Sequence, residues 1–122
     1  MKPNPYAAIA DIKARQLKFL DDTVSFYNLG NRAVCHVEGC IYTPRDYTPG
    51  CAIGRWSNTP EKLNGRVRNE KNWPYLPKWM QEMSIDFLQD IQLLHDRPRY
   101  WTTTGLSREG KIFYKQIKLD HL

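Results

Sequence analysis

Three times in 122 residues a side chain able to cap a helix is followed at once by proline: Asn4-Pro5, Thr48-Pro49 and Thr59-Pro60. Proline in the first helical position lacks an N–H that would have no helical partner there, and its fixed φ suits the helix. The preceding Asn or Thr offers an oxygen to one of the free amides of that first turn. Each pair therefore reads as a helix start. From Asn4-Pro5 the residues Ile9, Ile12, Phe19, Leu20, Val24 and Tyr27 recur at helical spacing as far as Leu29, where Gly30 is placed to stop the helix. A bend is expected near Asp21-Asp22. Thr48-Pro49 predicts a short helix over Gly50 to Trp56, and Thr59-Pro60-Glu61-Lys62 predicts a further brief turn.

The second half carries the clearest helix. Ser84 caps it, Phe87, Leu88, Ile91, Leu94 and His95 form one stripe, and Asp86, Gln89, Asp90 and Gln92 read as its outer face. Arg97-Pro98-Arg99 ends it. Pro74 to Pro77 leads into a helical turn at Lys78-Trp79-Met80. Ser107 starts the last helix, with Phe113, Ile117 and Tyr114 inward and Lys111, Lys115 and Lys118 outward. Between the helical regions, Ala33 to Val37 and Ile41 to Thr43 are rich in β-branched or aromatic residues, with Glu38-Gly39 between them, a β-hairpin signal. Asn64 to Trp73 is polar and basic, with Val67 as its one aliphatic residue, and reads as a mobile surface loop. The expected fold is α+β: a small, mostly α-helical single domain spanning 1–122 with one β-hairpin lying on the helices, since two strands form no core alone.

Composition sets outer bounds on function. A chain that is 41% hydrophobic and 12% aromatic is folded rather than disordered. Its net charge of +5 allows an acidic partner, but the charges are scattered and no run of five basic residues occurs. Met1-Lys2-Pro3-Asn4-Pro5 lacks the apolar run of a signal peptide, and no apolar stretch approaches the roughly 20 residues that cross a bilayer. Three cysteines cannot all pair within one chain, so reduced thiols in a cytoplasmic setting are expected.

The densest group of chemically capable residues runs from Cys35-His36 to Arg55. Cys35, Cys40 and Cys51 with a histidine make a legitimate zinc set. In a two-residue hairpin, however, Cys35 and Cys40 sit diagonally, roughly 7–8 Å apart at the backbone. His36 would face the opposite side, leaving His95 as the fourth ligand. Buried free cysteines account for the same residues without a metal, and no cofactor is expected. Cys51 is the one candidate nucleophile, because a helix start at Thr48 would place it in a first turn that lowers a thiol's pKa. Small residues packing that helix account equally for Cys51-Ala52-Ile53, so no catalytic residue is assigned. Gly50 to Arg55 matches no phosphate-binding glycine pattern. Nucleic-acid binding would draw on Arg66, Arg68, Lys71, Arg97, Arg99 and the Lys111/Lys115/Lys118 face, with Trp73, Tyr75, Tyr100 and Trp101 as stacking platforms.

Two segments carry a resemblance: Tyr42 to Arg55, centred on Thr48-Pro49-Gly50-Cys51-Ala52-Ile53-Gly54-Arg55, and Phe87 to Ile117. The second holds Leu88-Gln89-Asp90-Ile91-Gln92-Leu93-Leu94-His95-Asp96, then Trp101-Thr102-Thr103-Thr104-Gly105-Leu106-Ser107, Gly110 and Tyr114. Together they resemble small accessory proteins carried by phages and prophages, over less than half of the chain. That family brings no activity, cofactor or catalytic residue to carry over. It implies non-enzymatic binding of a host protein, as an inhibitor or modulator, in the host cytosol. Nucleic-acid binding, then a Cys-dependent enzyme or zinc module, stand behind it. Oligomeric state is left open. The contact residues expected are the aromatic and basic side chains Arg66, Arg68, Lys71, Trp73, Tyr75, Trp79, Arg97, Arg99, Tyr100 and Trp101, since Trp, Tyr and Arg dominate interface energetics.

Overall fold

The computed structural model describes residues 4–31, 34–35, 39–40, 51–63 and 66–122. Its centre is the Ser84-capped helix, α3 (Ile85–Asp96), whose Phe87, Leu88, Ile91, Leu94 and His95 are all fully buried. Ser84 Oγ accepts the Phe87 amide at 3.4 Å, the capping bond its position calls for. Two longer helices pack on α3: α1 (Ile12–Phe26) through Phe19 and Leu20, and α4 (Arg108–His121) through Ile117. The short α2 (Lys78–Gln81) brings Trp79 and Met80 into the same apolar cluster. The mostly helical α+β fold expected from the sequence is the one observed.

Helix α1 starts later than Asn4-Pro5 predicts. Asn4 Oδ1 accepts the Tyr6 amide at 2.8 Å and forms a local turn instead, while Asp11 caps the helix by accepting from Ala14 at 2.8 Å. The helix runs unbroken through Asp21-Asp22 and ends at Phe26, where Tyr27 becomes extended. Two asparagines, not Gly30, complete that stop. Asn28 Oδ1 accepts from Gly30 and Asn31, and Asn31 Nδ2 donates to the Phe26 carbonyl at 2.8 Å. Their side chains supply partners that the chain leaving a helix otherwise lacks.

Strands β1 (Val34–Cys35) and β2 (Gly39–Cys40) form the expected hairpin, pairing Val34 with Cys40 and Cys35 with Gly39. Gly39 is thus in a strand rather than in the turn. Cys40 pairs with Val34, where a two-residue turn at Glu38-Gly39 would pair it with Val37, a register shift of three residues. Ile41–Thr43 and the Thr48-Pro49 start lie outside the described residues. The short helix predicted over Gly50 to Trp56 is a single 3-10 turn at Gly54–Trp56, followed by the expected turn at Pro60–Lys62.

A second, smaller hairpin joins α3 to α4. After a 3-10 turn at Pro98–Tyr100, β3 (Trp101–Thr102) pairs with β4 (Gly105–Leu106). Gly105 has φ of 138°, a conformation that only glycine adopts without strain, so the turn is legible in hindsight at Thr-Thr-Thr-Gly. Trp101 Nε1 donates to the Leu94 carbonyl at 2.7 Å, tying the hairpin to the end of α3. Ser107 then caps α4 by accepting the Gly110 amide at 3.0 Å.

Candidate partner-binding surface

The segment expected to be a mobile loop is pinned to the core. Val67 is buried, and its amide donates to Gln92 Oε1 at 2.7 Å. Gln92, expected on the outer face of α3, is buried because its side-chain oxygen is the acceptor for this neighbouring segment. Asn72 is also buried and donates to the Arg66 carbonyl at 2.9 Å from within a 3-10 helix at Glu70–Tyr75, which Asn69 caps by accepting the Lys71 amide at 3.1 Å. From the other side Gln81 Nε2 bonds the carbonyls of Trp73 at 2.8 Å and Leu76 at 3.0 Å. A polar, irregular segment becomes ordered when side-chain amides supply the partners that a regular element would give.

This anchoring divides the expected contact residues into two groups. Arg66, Arg68, Lys71, Arg97 and Arg99 are exposed, and Trp73 and Tyr75 are half-buried. Trp79, Tyr100 and Trp101 are not surface residues, with 6%, 8% and 4% of their surfaces exposed. Trp79 stands between Tyr6 at 5.2 Å, Phe19 at 5.7 Å and Trp56 at 5.9 Å, an aromatic cluster that fills the space between α1 and α2. Tyr100 lies 5.0 Å from Phe113 of α4. Prolines beside aromatic residues staple these turns onto the core, which leaves Tyr100 and Trp101 unable to serve as nucleic-acid stacking platforms. Several exposed cations are engaged locally. Arg68 pairs with Asp86 at 2.6 Å, and Arg99 lies over the Tyr100 ring and 3.9 Å from Glu109.

Cys51 is 1% exposed, and its sulfur accepts the Gly54 amide at 3.3 Å. The thiol holds the start of the Gly54–Trp56 turn from inside the core. His95 is equally enclosed. Its Nδ1 lies 2.9 Å from Asp96 Oδ1, and its ring meets Tyr27 edge-on at 4.7 Å. No group of three metal-capable side chains occurs among the described residues. Cys40 pairs with Val34 and Cys35 with Gly39, so the diagonal placement of the two cysteines expected of a two-residue hairpin is not the one observed. Arg55 packs its guanidinium 4.0 Å from the Phe26 ring centre and 4.5 Å from that of Trp56. Burial pulls its pKa down, and the guanidinium is packed against these rings.

The surface that remains is the outer side of α4, where the sequence pattern points only to lysines. Ile112 is 62% exposed and Leu119 80%, the two most exposed large apolar side chains among the described residues. Seven residues apart, they lie on one line of the helix, opposite the buried Gly110 and Ile117. Lys111, Lys115 and Lys118 run along one flank, all exposed. On the other flank a shallow groove of about 360 Å³ separates α4 from the Pro98–Tyr100 turn, lined by Arg99, Tyr100, Glu109, Ile112, Phe113 and Gln116. Ile112 and Leu119 fall off the inward stripe of Phe113 and Ile117, and that offset was the available signal. No family model, curated protein or solved structure matches the chain. None of the described helices is long and apolar enough to cross a membrane.

Proposed function

We propose that this chain is a non-enzymatic binding protein that engages a host protein, in the manner of a small phage-borne accessory protein that inhibits or modulates its target in the host cytosol. The observation that carries this reading is the pairing of Ile112 and Leu119 on the outer line of α4, exposed beside a groove whose floor includes Tyr100 and Phe113. Covering a side chain of this size is worth about 1.5–3 kcal/mol, a gain that the exposed helix face leaves unused. Large apolar groups set beside basic ones are what a protein interface uses at its centre and rim.

A nucleic-acid partner is the competing reading, favoured by the lysine row of α4 and by Arg66, Lys71 and Arg97. Burial of Tyr100 and Trp101 counts against it. Native mass spectrometry of the protein isolated from its host separates the two. The proposed function expects a protein adduct that survives moderate salt. A nucleic-acid adduct lost steeply with salt would replace the reading. Isolation of the bare chain at every salt tested would remove it.

A further inference from the structure

We propose that the outer face of α4, with the groove beside it, docks an amphipathic helix of the partner that presents acidic residues along one flank; this rests on the binding function proposed above. Ile112 and Leu119 are separated by two helical turns, about 10.5 Å along the axis at 1.5 Å per residue. A partner helix whose apolar residues recur three and four apart would meet both, and its neighbouring apolar side chain would enter the groove over Tyr100 and Phe113. Lys111, Lys115 and Lys118 follow the apolar line at intervals of four and three, so carboxylates on the partner's adjoining flank would face them in register. On the groove side Glu109 lies 3.9 Å from Arg99 and Gln116 donates to the exposed Asp120, so that edge carries no free row of cations to match the one on the lysine flank.

The same charges argue against other occupants. A second copy of this chain would bring its own lysine row and a net charge of +5 against an identical face. A nucleic-acid backbone would leave Ile112 and Leu119 facing phosphates. A lipid surface would gain little from two apolar residues with Lys115 between them, on a helix whose other face is buried in the fold.

The test places the photo-crosslinking residue p-benzoylphenylalanine at Ile112, at Leu119 and, as a comparison on another face, at Arg68, in the full chain expressed in its host. The expected result is an adduct from positions 112 and 119 whose crosslinked peptide is helical in pattern and net acidic. Its yield should fall at least tenfold with Lys115→Glu and Lys118→Glu together, with unchanged circular dichroism and thermal midpoint. An adduct to a neutral or basic peptide, to nucleic acid, to lipid or to a second copy overturns the proposal. An adduct from position 68 alone overturns the α4 site and leaves the binding function standing. No adduct from any position overturns both.

Discussion

Replacing Gly110 by alanine should destabilise the protein even though it improves helix propensity. Gly110 lies in the first turn of α4, against the Pro98–Tyr100 turn. A Cβ built there would lie 2.9 Å from the Tyr100 carbonyl carbon and 3.0 Å from Leu106 Cδ2, and closer still to the Tyr100 carbonyl oxygen. Carbon atoms rest at about 3.5–4.0 Å, so the gap is short by roughly 0.5–1 Å. Neither wall yields easily. The Tyr100 oxygen already accepts the Ser107 amide at 2.8 Å, and Ser107 also holds the Gly110 amide and donates to the Arg99 carbonyl. Overpacking of this kind costs about 1–3 kcal/mol, toward the upper end where backbone must move. The gain in helix propensity returns about 1 kcal/mol, leaving a net loss of about 2 kcal/mol. For a chain of this length that is a fall in thermal midpoint of about 6–10 °C. Differential scanning calorimetry of wild type and Gly110→Ala measures it, with Gln116→Ala as a neutral exposed control. Propensity acting alone predicts the opposite sign, so an unchanged or raised midpoint would refute the close approach of α4 to Tyr100.

Gln92→Leu keeps the volume but strips the Val67 amide of its buried acceptor, and should cost about 1–3 kcal/mol in urea unfolding; a loss below about 0.5 kcal/mol would mean that the 66–76 segment is held by other means. Tyr114 donates to Asp21 at 2.5 Å, and that hydrogen bond, then burial and the carboxylate charge, raises its pKa from 10 to about 12. The folded value exceeds the unfolded one, so this contact stabilises fully below pH 10 and its contribution is lost as pH rises toward 12. A difference titration of tyrosine absorbance between wild type and Tyr114→Phe should show that late midpoint, and Asp21→Asn should return it toward 10; a wild-type midpoint already near 10 sinks the assignment. Cys51, being buried, should react with iodoacetamide at neutral pH only as the protein unfolds, followed residue by residue by peptide mapping; rapid native labelling at Cys51 would reopen its candidacy as a nucleophile.

What could be read from the sequence was whatever a single local pattern decides. Ser84 and Ser107 cap the helices predicted for them, and the α3 stripe from Phe87 to His95 is wholly buried. Errors arose where a residue's role depends on something distant in the chain. Asn4-Pro5 makes a turn instead of a helix because Asp11 is the cap that leads into the continuous apolar run. Gln92 looked like a solvent residue because nothing in α3 reveals that Val67, 25 positions earlier, needs an acceptor. Tyr100 and Trp101 read as contact residues because Trp and Tyr are shared by interfaces and by loops stapled to a small core, while Arg97 and Arg99 beside them are exposed. Burial separates those cases, and burial is a tertiary property.

Amide side chains are the device by which so irregular a chain keeps its backbone satisfied. Gln16 Oε1 accepts the Ser84 amide at 3.1 Å just before α3, Gln92 serves Val67, Gln81 serves Trp73 and Leu76, and Asn72 serves Arg66. Each replaces a bond that helix or sheet would supply, and each draws nearby polar residues into structural work. The consequence for function follows from subtraction. Between residues 66 and 101 the amides and most of the aromatic rings are occupied in holding the fold, and Arg68 and Arg99 are partly engaged by Asp86 and Glu109. Helix α4 differs, because one inward row suffices to hold it: Gly110 against Tyr100, Ile117 in the core, and His121 bonded to Asp90 at 2.8 Å. Its outward row of Ile112, Lys115 and Leu119 is therefore free of structural duty, which makes it the place where substitutions should separate binding from stability.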